Sequence, residues 1–456
     1  MQPSFLVRWG REFSAQWPIA GPVILTIFAS IGMLTTDVLM VAPLGVIPLG
    51  AIGLATGALY TFLLASTGLL TMATVRASYA HGQNNPVGVT HSVRQGLWLG
   101  FFMAIPITLL CLNLGHILLW LDQEAAVVKE VDHYMGTAVW CILPQILFSS
   151  LRGFVSTLAR GQLIAAIMVL GLLLNFFLDY IFIYGHWGFP AMGVAGAGLA
   201  TSIICWLMLL ALAVQITKDP ILKTYRIFKK WASPDFQECR EIVRLGWPVA
   251  AINVAENSLF LAVSLTMGAI GAVELAAANI VISYMTVAFI VPIGLLHTSS
   301  IRVAYFMGQK NIRQARMAGT VSLSTGFLYM VVMASITVLF PLNIIHIYLQ
   351  PDQENAFAVI EMASQFLFIC AFFQVFDSTQ AIAGGALRGL KDTMAAFWAG
   401  TTGYWIIGYP LGWILCFSWG IGAVGIWWGL AAGIATAAIL LTVRFYYKTD
   451  GYRGRF

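Results

Sequence analysis

Long apolar runs separated by short polar stretches set the pattern of this chain. Each run is close to the ~20 residues that a helix needs to cross the hydrocarbon of a bilayer. Twelve spans are predicted, at 16–38, 47–73, 93–120, 134–153, 163–185, 192–216, 246–269, 275–300, 319–347, 357–385, 395–418 and 421–446, most of them without Lys or Arg. The first holds Pro22 in its interior, which predicts a kink because proline lacks a backbone N–H, and it ends on a carboxylate, Asp37. A basic stretch, 217–244, separates the sixth span from the seventh, and the spacing of Ile221, Tyr225, Phe228 and Trp231 in it predicts an amphipathic surface helix. The domains predicted from this pattern are an N-lobe at 1–216, a cytoplasmic linker at 217–244 and a C-lobe at 245–456.

Composition sharpens the class. Of 456 residues 59% are hydrophobic and 9% charged, against roughly 25% charged in a soluble domain; the mean hydropathy is +0.84. The expectation is an all-α polytopic membrane protein. The six cysteines are scattered and read as small apolar fillers rather than disulfides or metal ligands. The first residues lack an apolar core and cleavage site of their own, so the first span itself is expected to direct insertion.

Basic residues orient the chain. With twelve spans, 23 of the 24 Lys and Arg fall on the side of both termini, and only Lys129 falls opposite, beside Asp122, Glu124, Glu130, Asp132, Asp352 and Glu354. Both termini are therefore expected in the cytoplasm and the chain in the cell inner membrane. The net charge of +5 fits a lipid bilayer partner and gives no reason to invoke nucleic acid.

The two halves repeat. WPIAGPV at 17–23 matches WPVAAIN at 247–253, VRASYAHGQNN at 75–85 matches IRVAYFMGQKN at 301–311, and GVAGAGLA at 193–200 matches GAVGIWWG at 422–429, at nearly constant offsets of 230, 226 and 229 residues. Six spans return the chain to its starting side, so the repeats are parallel and related by a pseudo-twofold axis along the membrane normal.

Of the carboxylates inside predicted spans, four are the candidates: Asp37, Asp179, Glu256 and Asp377. No Lys or Arg is expected at a comparable depth. Each acid must then hold a proton, hold a cation or face a water-filled cavity; the alternative is a neutral carboxyl tied to a neighbouring helix. Asn175 and Asp179 are four apart on one helix face, and with Asp37 and Thr201 they offer an all-oxygen cage of the kind a hard cation needs. This makes Na⁺ and H⁺ competitors for one place, with Glu256 and Asp377 as the acids of the second lobe. Around those two, Phe260, Tyr284, Phe373, Phe376 and Gln374 are candidate walls for a flat organic cation, or ordinary lipid-facing and core residues. No GxSxG, Walker A, HExxH or His/Cys cluster is present, so the chain reads as a carrier driven by an ion gradient rather than an enzyme, with no cofactor.

Taken together, Pro22 and Asp37, ARGQ at 159–162, NFFLDY at 175–180, GVAGAGLATS at 193–202, Trp247–Pro248 with Glu256, MGQKN at 307–311 and GGALRGLKDT at 384–393 resemble the multidrug and toxic compound extrusion (MATE) family in its NorM-like branch. The resemblance covers essentially all twelve spans. It implies two six-helix bundles forming a V-shaped central cleft, alternating access, and export of cationic amphipathic compounds in exchange for Na⁺ or H⁺. A monomer is expected. By position it also implies that Asp37, Asn175, Asp179 and Thr201 form the first lobe's ion site, and that Glu256 and Asp377 mark the second. Members often carry Tyr four residues before the second acid; Phe373 stands there in this chain and removes an oxygen ligand. The alternative within the wider superfamily is a flippase for lipid-linked sugars, whose cavities tend to be cationic.

Overall fold

The computed structural model describes residues 5–229, 233–349 and 356–451, and every regular element in them is helical. In chain order the helices are α1 (Phe5–Val41), α2 (Val46–Gly82), α3 (Pro86–Leu112), α4 (Leu114–Trp120), α5 (Ala125–Ala138), α6 (Ile142–Thr157), α7 (Gly161–Tyr184) and α8 (Val194–Lys218). They are followed by α9 (Phe236–Ile270), α10 (Ala272–Ala288), α11 (Ile290–Gly308), α12 (Ile312–Leu339), α13 (Pro341–Tyr348), α14 (Ala356–Gly389), α15 (Thr393–Thr401), α16 (Tyr409–Trp413) and α17 (Ala423–Gly451). Eleven stretches of described helix are long and apolar enough to cross a membrane. The remaining span, the eleventh in chain order at 393–418, is not continuous α-helix: α15 and α16 alternate with π-helical turns at Thr402–Gly408 and Ile414–Ser418. This is a multi-pass membrane protein of twelve helical spans in two lobes.

The chain divides into two compact units, Gly21–Ala250 (the N-unit) and Met1–Ala20 with Ala251–Phe456 (the C-unit). The division falls inside α1 and α9, a few residues from Pro22 and Pro248, and not at the 217–244 stretch, which stays wholly with the N-unit. The core of the N-unit is built by α2, α3, α5, α6, α7 and α8, around buried Tyr134, Phe148, Phe154 and Met168. In the C-unit α14 is central and packs on α10, α11, α12 and α17, around Phe366, Phe373, Tyr404 and Trp427.

The repeat persists in local chemistry. Asn85 and Asn311, one offset of 226 apart, cap α3 and α12 by accepting from Gly88 N at 2.9 Å and Gln314 N at 3.2 Å. The preceding residues, Asn84 and Lys310, both take the left-handed conformation, with φ of 55° and 57°. Arg76 forms a bidentate pair with Glu238 at 2.6 and 2.5 Å in the N-unit. At the same offset, Arg302 forms one with Glu12 at 2.9 and 2.7 Å in the C-unit.

The linker differs from its sequence reading. Among the described residues between α8 and α9 the regular structure is a 3₁₀ turn at Leu222–Tyr225, not a surface helix, and 236–244 are already the first turns of α9. Leu222 and Ile227 are buried in the N-unit core, with Tyr225 and Phe228 packed against it. Arg94 of α3 holds the segment by donating to the carbonyls of Arg226, Ile227 and Lys229. Apolar spacing that would make one face of a helix here anchors an extended strap. Lys230, Trp231, Asp352, Glu354, Arg453 and Arg455 lie outside the described residues.

Candidate functional site

In the N-unit α1, α7 and α8 bring Asp37, Asn175, Asp179 and Thr201 together. Asn175 and Asp179 are fully buried and share a face of α7; Asp37 is 3% exposed. Thr201 Oγ1 donates to Asp37 Oδ2 at 2.8 Å. Asp179 and Asn175 come close enough to act on the Asp37 carboxyl, but neither closes a hydrogen bond of normal geometry with it. Asp37 Oδ1, both carboxylate oxygens of Asp179 and both amide atoms of Asn175 are buried without a protein partner. Buried polar atoms are rarely left so, because each forfeits its hydration. Five such atoms in one cage of oxygens and one amide nitrogen mark a place shaped for water, a proton or a hard cation. Tyr134 of α5, 1% exposed, faces both acids; it was not legible in the sequence because nothing local ties α5 to α1 and α7.

In the C-unit Glu256 of α9 and Asp377 of α14 lie within each other's field, and Asp377 is 4% exposed. The expectation that no Lys or Arg reaches the acids fails here. Arg388 is 8% exposed, close enough for its charge to act on Glu256, and donates to Asn253 Oδ1 at 3.3 Å. The reason is geometric: α14 runs unbroken to Gly389, past the predicted end of the span, and carries the guanidinium inward. Gln380, one turn beyond Asp377, donates through Nε2 to its Oδ1 at 3.1 Å.

The aromatic candidates separate. Phe373 is fully buried and stacks on Trp427, ring centroids 6.1 Å apart; it is part of the C-unit core. Tyr284 is also mostly buried, its hydroxyl 2.5 Å from that of Thr337. Phe260 and Phe376 are only partly covered. Gln374 is buried with both amide atoms unpartnered. Pro22 sits within α1, and Thr26 Oγ1 donates to its carbonyl at 2.8 Å.

The MatE family model matches residues 22–181 and 248–414, the two repeats in turn. The chain belongs to the MatE family. Family members named "Probable multidrug resistance protein NorM" match along nearly the whole chain. The one from Pseudomonas aeruginosa is 36% identical over 96% of this chain and 90% of its own length. The one from Rhizobium meliloti is 34% identical over 96% and 94%. A crystal structure of a MATE protein in the bent conformation superposes with a TM-score of 0.88 at 16% identity, covering 99% of this chain and 98% of that one. That likeness bears on the fold.

Proposed function

We propose that this chain is a secondary active multidrug antiporter. It exports cationic, amphipathic small molecules across the cell inner membrane in exchange for H⁺ or Na⁺, by alternating access. The observation that carries the reading is the set of unpartnered buried atoms on Asp37, Asn175 and Asp179. Two acids in one pocket resist joint ionisation, so cation or proton capture there is favourable and state-dependent, as coupling requires. Pro22 supplies a soft point in the same helix. In the C-unit, Phe260, Phe376 and Gln374 are the residues proposed to meet the organic cation. Tyr284 and Phe373 would back them from the core. Glu256 and Asp377 are the proposed second acidic centre. The Arg388 charge beside Glu256 and Phe373 in place of a tyrosine both disfavour Na⁺ there, which supports the N-unit as the principal ion site. The unpartnered charges are acidic, which disfavours the flippase alternative with its anionic substrate. The names of the relatives support drug export. The proposed carrier works as a monomer with cytoplasmic termini and without a cofactor.

The test is efflux of a fluorescent organic cation from proteoliposomes under an imposed pH or Na⁺ gradient. Efflux driven by at least one gradient is expected. Equal efflux with and without both gradients would overturn the antiport reading.

A further inference from the structure

The six cysteines are scattered along the chain, but the fold of the N-unit brings two of them together. There α8 lies alongside the segment in which α5 passes through a 3₁₀ turn at Val139–Cys141 into α6. The register is fixed from both sides. Ser202 Oγ of α8 donates to the carbonyls of Thr137 and Ala138 at 2.7 and 3.3 Å. One turn on, Cys205 Sγ donates to Gln145 Oε1 at 3.6 Å. Cys141 lies between these two anchors, and its thiol is close enough to that of Cys205 for the two to interact. Both thiols are free and belong to the apolar core, 2% and 4% exposed.

The pair sits one turn from the proposed ion site. Thr201, which donates to Asp37, and Cys205 are four apart on α8 and share a face. Tyr134 faces Asp37, Asp179 and both thiols. Among the described residues no group of three His, Cys, Asp or Glu side chains could hold a metal ion, so a four-coordinate ion such as Zn²⁺ has no shell here. A two-coordinate soft cation takes its sulfurs on opposite sides, which would push apart thiols that lie side by side. A trivalent arsenical fits the arrangement. Its arsenic takes both sulfurs on one side, and it is uncharged before and after binding, so the apolar core imposes no penalty for burying an ion. The exchange balances: R–As(OH)₂ and two thiols give the R–As dithiolate and two waters. Two As–O and two S–H bonds break, two As–S and two O–H bonds form, and arsenic stays trivalent. Thiols are weak donors, so little hydrogen bonding is lost.

We propose that Cys141 and Cys205 form a dithiol site for trivalent arsenicals, and that filling it ties α8, with Thr201, to the α5–α6 junction and arrests transport. The site stands apart from the antiport reading; the arrest rests on it.

The probe is phenylarsine oxide, applied to the full chain in detergent and in proteoliposomes. Mass spectrometry is expected to find one adduct bridging the Cys141 and Cys205 peptides, stable to the monothiol glutathione and removed by dithiothreitol. Cys141→Ala and Cys205→Ala should each lose the glutathione-stable adduct. Cys111→Ala should keep it, although Cys111 is a neighbour of Cys141. Efflux of the organic cation should be lost on treatment of wild type, return with dithiothreitol, and be insensitive to the reagent in Cys141→Ala and Cys205→Ala. Mapping the wild-type adduct needs no variant, so it decides the site even where an alanine variant does not assemble. No adduct, an adduct bridging other cysteines, or a glutathione-stable adduct in Cys141→Ala or Cys205→Ala would overturn the site. Bridged thiols with unchanged efflux would overturn the arrest. Untreated wild type without gradient-driven efflux would overturn the antiport reading instead, and the mass result would still decide the site.

Discussion

Asp37 has one oxygen held by Thr201 and the other without a protein partner. That asymmetry separates two substitutions. Asp37→Asn keeps the shape and removes the exchangeable charge, so gradient-driven efflux should be abolished while membrane abundance stays normal. Thr201→Val removes only the donor, and efflux should fall by about the tenfold that one hydrogen bond to a charged group supplies. Efflux assays at matched abundance check both. Phe373 offers a contrasting case: as a fully buried core ring, Phe373→Ala should cost roughly 3 kcal/mol of stability, read as a fall in melting temperature, before it affects drug affinity. Asp37, Asn175, Asp179 and Thr201 were legible in the sequence because acids inside apolar runs stand out and i, i+4 spacing fixes a face. Tyr134, Gln380 and Arg388 were not. Their roles depend on which helix lies opposite, and Arg388, three residues before Lys391, reads as a loop cation until α14 is seen to continue through it.

At the scale of the element, apolar periodicity located the spans but not their irregularities. A π-helical turn has the same composition as α-helix, and only the cluster Gly403, Gly408 and Pro410 hinted at it. The linker misled because a strap buried at Leu222 and Ile227 and an amphipathic helix place apolar residues at similar intervals. The repeat did forecast structure: Arg76 and Arg302 matched in sequence, and each makes a bidentate pair, with Glu238 and Glu12. Both pairs are largely shielded from water, with side-chain exposures of 23% and 12% in the first and 17% and 11% in the second. Breaking one by Glu238→Gln or Glu12→Gln should therefore lower stability by roughly 1.5–3 kcal/mol, as for hydrogen bonds to charged groups. Thermal unfolding in detergent is the measurement. Lysine in place of either arginine should restore little, because it cannot match the fork of the carboxylate.

For the whole molecule, membrane class, the number of spans and the repeat were legible from hydropathy, the positive-inside bias and the offsets. The unit boundary was not, because it falls inside α1 and α9, where no loop composition marks it. The proposed topology predicts that a cysteine placed at Thr224 reacts with an impermeant thiol reagent only from the cytoplasm, and one at Asp122 only from outside. Reaction of both from one side would contradict the three spans, an odd number, that separate them. The central claim, that drug and ion move in opposite directions through the N-unit acids, is tested most directly by running the carrier backwards. With no ion gradient imposed, an organic-cation gradient across proteoliposomes should drive H⁺ or Na⁺ the other way, recorded by a trapped pH dye or radioactive sodium. Asp37→Asn should bind the drug yet move no ion. Drug flux without ion movement in wild type, or undiminished ion movement in Asp37→Asn, would contradict the account.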